Sequence, residues 1–90
     1  MTIDNKEYDE VMLFKAFNYL NNKVSRKCGN YVVREAGNGD WGIFNGTMTI
    51  ATLLPDAIQV YRLKDVRIIQ KFYNINCTYQ EDGFYIDKYQ

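Results

Sequence analysis

The chain has 90 residues, 47% of them hydrophobic and 16% aromatic, with eleven Lys and Arg against eleven Asp and Glu and no His. That length makes one domain burying a little over roughly 60% of its unfolded surface, and the composition excludes a disordered chain. Zero net charge argues against a general polyanion binder, and the lack of His removes the commonest general base near neutral pH and the commonest metal ligand.

The first element reads as a helix over about residues 5–24. Asp4 is a good N-cap, Glu7 three residues on completes a capping box, and Ile3 and Tyr8 occupy the positions of a hydrophobic staple. Met12, Leu13, Ala16, Phe17, Tyr19, Leu20 and Val24 share one broad apolar face with Tyr8. Val11 and Phe14 fall on the other side, among Glu10, Asn18 and Asn21. They are three apart, hence adjacent, and such a pair marks a contact surface unless the chain itself covers it.

Cys28-Gly29-Asn30 ends the helical region, with Gly29 placed as the C′ residue. The hydrophobic period then drops to two. Tyr31 to Ala36 predicts a strand, Gly37-Asn38-Gly39-Asp40 a turn, Trp41 to Phe44 a second strand and Thr47 to Leu53 a third. Between the last two, Asn45-Gly46 is the strongest short-range hairpin signal, a type I′ turn needing φ > 0 at both central residues. Trp41, the only Trp, heads this hairpin and reads as a core anchor.

Leu54-Pro55-Asp56 interrupts the pattern. Residues 57–73 admit one helix or two strands, 57–63 and 66–73, turning at Lys64-Asp65. The β-branched content favours the strands. Residues 74–79 and 83–88 predict a last hairpin around Gln80-Glu81-Asp82-Gly83. Together these elements predict an α+β fold, an N-terminal amphipathic helix packed on a mainly antiparallel meander sheet of about five to seven short strands.

The segment around Trp41 resembles one unit of the WG-type β-repeats of some bacterial proteins. The matching residues are Gly39-Asp40-Trp41-Gly42-Ile43, a turn, and Thr49-Ile50-Ala51; Phe84-Tyr85-Ile86-Asp87 echoes the same unit. The chain lacks the tandem array that defines such proteins, so the resemblance carries no function over.

The side chains that chemistry needs are not assembled. Cys28 and Cys77 have neither a His to activate them nor CxxC spacing, which argues against thiol catalysis and zinc. Gly37, Gly39 and Gly42 give G-x-G-x-x-G only in part, because position 44 is Phe44. The expectation is therefore a non-enzyme with no catalytic residue, cofactor or metal. Met1 to Glu10 is charged without an apolar stretch, and no run approaches a membrane span. A cytoplasmic location is expected, with Cys28 and Cys77 as small hydrophobes that would pair only in an oxidising compartment. Abundant Asn, Ile, Lys, Tyr and Phe associate with AT-rich bacterial or phage genomes.

Two binding functions remain. The first is a non-catalytic protein-binding module, on the scale of phage or mobile-element inhibitors of host protein complexes. Its partner-binding residues would be Val11, Phe14, Arg26, Lys27, Arg62 and Arg67. The alternative is a nucleic-acid or nucleotide binder, in which Arg26, Lys27, Arg62, Arg67 and Lys71 meet phosphate while Tyr61, Phe72 or Tyr73 stacks on a base. A homodimer covering an exposed β edge or helix face is compatible with either.

Overall fold

A computed structural model of the chain describes residues 5–87, with side chains from Glu10 onward. The elements are α1 (Asn5–Asn21), β1 (Arg26–Cys28), β2 (Tyr31–Glu35), β3 (Trp41–Asn45), β4 (Met48–Leu53), β5 (Ala57–Val60), α2 (Leu63–Tyr73), β6 (Cys77–Gln80) and β7 (Gly83–Asp87). The seven strands form one antiparallel sheet in the order β1-β2-β3-β4-β5-β7-β6. β1 to β5 are a simple meander. The connection through α2 and β6 then returns the chain so that β7 lies beside β5 and β6 becomes the far edge. The N-terminal helix on a meander sheet is the α+β arrangement that the sequence predicts.

Both helices contribute to the core. Leu13, Ala16, Phe17 and Leu20 of α1 and Val66 and Ile69 of α2 are buried in one cluster with Val33, Ile43, Ala51, Ile58, Val60 and Ile86 of the sheet. The register aligns Val33, Ile43, Ala51 and Val60 across four strands on one face. The Val and Ile side chains of the row each contribute about 1.5–3 kcal/mol on leaving water, so a slip of one residue would expose the whole row.

The helix ends earlier than the predicted residue 24. Lys23 takes φ 56, its N–H bonds to Leu20 O at 3.1 Å and the Val24 N–H bonds to Tyr19 O at 2.9 Å. This left-handed closure satisfies the last carbonyls of α1. Gly29 is therefore not the helix stop. It sits at φ 61 in the tight turn between β1 and β2, and β1, at 3 residues, is too short to show a period. The capping box and staple expected at Ile3, Asp4, Glu7 and Tyr8 lie outside the described side chains.

Residues 66–73, favoured as a strand, belong to α2, and the preceding strand stops at Val60. Val66, Ile69 and Tyr73 recur at helical spacing and pack on the core. Their burial outweighs the few tenths of a kcal/mol by which β-branched residues disfavour a helix.

The β3–β4 turn is also displaced by one residue. Asn45 pairs with Met48, so the central residues are Gly46 and Thr47, and of these only Gly46 has positive φ, at 63. Glycine at the first central position makes a type II′ turn in place of the predicted I′. A bulge absorbs the shift: Ile43 pairs with Ala51 and Phe44 with Thr49, leaving Ile50 unpaired. Ile50 and Ala51 are both buried as a result. Cys28 and Cys77 are free thiols on opposite edges of the sheet, in β1 and β6, beyond reach of each other.

Candidate binding face of the sheet

Alternation along each strand sends a second set of side chains away from the helices. Across the strands, Arg34, Gly42, Thr52, Gln59, Tyr85 and Thr78 are successive partners and form one continuous row. Lys27, Val32, Phe44 and Thr49 form a shorter parallel row. Among the described residues neither helix covers these rows.

Much of this face is held in place before anything binds. The Arg34 guanidinium lies 4.1 Å from the centroid of the Phe44 ring. The ring can lie flat on the sheet because residue 42 has no side chain. A Cβ on Gly42 would stand 3.1 Å from the ring and 2.8 Å from the Ala51 carbonyl oxygen. Beside it runs a chain of polar contacts. The Thr52 hydroxyl donates to Tyr61 Oη at 2.9 Å, and Tyr61 Oη donates to Gln59 Oε1 at 3.3 Å. Gln59 Nε2 donates to the Asp82 carbonyl at 3.1 Å, and Tyr85 Oη donates to the Asp82 carboxylate at 2.8 Å. That last bond to a carboxylate, aided by desolvation and the nearby negative charge, pushes the Tyr85 phenol above its ordinary pKa. A cleft of about 170 Å³ opens over Gly42 between Phe44, Thr52 and Tyr61.

The face offers rings, hydroxyls, an amide and a guanidinium. Among the described residues no group of three or more Cys, Asp and Glu is placed to hold a metal ion. No described helix is long and apolar enough to cross a membrane.

Apart from Lys27, the residues expected to bind a partner lie off this face and do not converge. Phe14 is half-buried, with its ring 4.7 Å from Phe72 and 5.1 Å from Tyr73 by centroids. Val11, also half-buried, lies one turn before it on α1. Arg26 in β1 stacks its guanidinium 5.1 Å from the Tyr19 centroid. Arg62 is engaged with the buried Asp65 at the start of α2, and Arg67 is exposed on the outer side of that helix. Lys71 is held by Glu10 at 2.8 Å. Of the six candidates only Lys27 belongs to the open rows. Tyr61, one of three proposed base-stacking residues, does reach this face, whereas Phe72 and Tyr73 lie on the α1–α2 seam. Trp41 is half-buried against the core and borders both the cleft over Gly42 and a second one, of about 360 Å³, which it lines with Lys23, Leu53 and Pro55.

Arg34, Phe44, Gln59 and Tyr85 were not among the predicted site residues. Strand alternation marks each as outward-facing. Their alignment into rows depends on the bulge at Ile50 and on β7 lying beside β5, neither of which a local pattern reveals. No family model, curated protein or solved structure matches the chain.

Proposed function

We propose that this protein is a non-catalytic binding module that seats a protein partner on the open face of its sheet. The observation that carries the proposal is the fixed surface of Arg34, Phe44, Tyr61 and Tyr85, already ordered by stacking and hydrogen bonds. Pre-ordered aromatic and Arg side chains lose little conformational entropy on binding and are the residue types that dominate interface energetics. A protein is favoured over nucleic acid because the net charge is zero and the two open rows carry only Lys27 and Arg34 as cations. Two of the cations that phosphate binding would need, Arg62 and Lys71, are already matched by carboxylates. The size, and the lack of an assembled catalytic group among the described residues, suit an inhibitor of bacterial or phage origin that acts in the cytoplasm by occupying a surface of a host complex.

The test is affinity capture from bacterial lysate with the parent chain and with a Phe44→Ala, Tyr61→Ala double variant, read by mass spectrometry and by nucleic-acid staining. A protein captured by the parent at both low and high salt, and depleted at least tenfold by the variant at near-parental thermal stability, supports the proposal. Recovery of nucleic acid that is lost steeply as salt rises overturns it in favour of the phosphate-binding alternative.

A further inference from the structure

The two edges of the sheet are built differently. β1 is 3 residues long and carries Arg26 and Lys27, and both shortness and charge discourage pairing with another strand. β6 carries no charge, proline or bulge across Cys77-Thr78-Tyr79-Gln80. Thr78, Tyr79 and Gln80 are exposed, Tyr79 to 71%.

The hairpin geometry fixes which backbone groups of β6 point outward. Gln80 pairs with Gly83 at the turn, and the Asp87 N–H bonds to Asn76 O at 3.4 Å. Antiparallel alternation therefore directs the groups of Asn76, Thr78 and Gln80 toward β7 and those of Cys77 and Tyr79 to the outside. We infer that β6 pairs with the β6 strand of a second copy of this chain, antiparallel about a two-fold axis at Thr78. In that register Cys77 of each copy lies opposite Tyr79 of the other, and the outward groups make about four backbone hydrogen bonds. Thr78 meets its own counterpart, a favourable hydroxyl pair. The Tyr79 ring, tilted against Phe84 with centroids 5.2 Å apart, would cover the opposing Cys77.

Charge agrees with this orientation. The acidic turn Glu81-Asp82 follows β6 directly, and an antiparallel pair places the two turns at opposite ends, where a parallel pair would bring them together. The dimer would be one sheet of twice the seven strands, with its two open faces continuous through Thr78 and Tyr85. The inference stands on the edge alone and does not depend on what the open face binds.

Light scattering of the full chain over a rising concentration series tests it. The expected mass moves from 10.6 kDa to twice that value. Tyr79→Pro removes an outward N–H and no bond to β7, so it should hold the mass at 10.6 kDa. Thr78→Lys, at an exposed site, sets like charges opposite each other and should raise the dissociation constant about tenfold, with circular dichroism verifying its fold. A parent chain that stays at 10.6 kDa overturns the inference, whether the edge is then open, reserved for a different protein or covered by the chain's own first residues. A dimer left intact by both variants overturns it as well.

Discussion

Arg62 grips Asp65 with two hydrogen bonds, Nε to Oδ2 at 2.6 Å and an Nη to Oδ1 at 3.1 Å, while the Asp65 side chain is entirely buried. The same two residues close the first turn of α2, where the Asp65 N–H bonds to Arg62 O at 3.1 Å. Removing the guanidinium would leave a buried carboxylate uncompensated. Arg62→Ala should therefore cost about 3 kcal/mol in urea unfolding, the low end for such breaks because Arg62 is partly exposed. Replacing both residues with apolar side chains of similar size should recover most of that loss. A single-variant cost below about 1 kcal/mol would mean that the pair does not hold α2 in place.

Phe14 gives a second stability test. Its ring is wedged against Phe72 and Tyr73, and Tyr73 Oη donates to the Asn18 side chain on the next turn of α1. Phe14→Ala should destabilise the fold by about 2 kcal/mol, less than a fully buried Phe because the site is half-exposed. Unchanged unfolding together with lost partner binding would instead mark Phe14 as a binding anchor.

The displaced hairpin turn separates two neighbouring substitutions. Gly46 has φ 63 with open space around it, so backbone strain alone opposes a side chain there. Gly46→Val should cost more than about 1 kcal/mol. Asn45 has no positive φ and is exposed, so Asn45→Ala should fall within about 0.5 kcal/mol. Equal costs at the two positions would restore the type I′ assignment.

Tyr85 supplies the pH dependence. The Asp82 carboxylate accepts from its phenol, stabilising the neutral form, and burial and charge act in the same direction. The folded pKa lies above the unfolded value of about 10, so this contribution to stability is complete below that pH and is lost as pH rises through the folded value. Alkaline titration of labelled tyrosines by NMR should show Tyr85 ionising above the ordinary tyrosine range. Asp82→Asn should move it back toward that range, and an unchanged titration would remove Asp82 as the cause.

Features that depend on neighbours a few residues away were legible in the sequence. The apolar spacing of Leu13, Ala16, Phe17 and Leu20 made α1 legible, and period-two alternation placed β2, β3, β4 and β7 to within a residue or two at each end. Three further points depend on contacts between distant parts of the chain. Residues 66–73 fold as a helix because the core accepts Val66 and Ile69 from one face, a gain that local propensity cannot register. The Phe14 ring packs against that same helix, at Phe72, a contact that could not be foreseen while residues 66–73 were read as a strand. Finally, Arg34, Phe44, Tyr61 and Tyr85 share a surface only through strand register, which the bulge at Ile50 and the β5–β7 pairing set across long separations in the chain. Local pattern tells which side of a strand a residue faces; which residues become its neighbours there follows from pairings that form only as the whole core is buried.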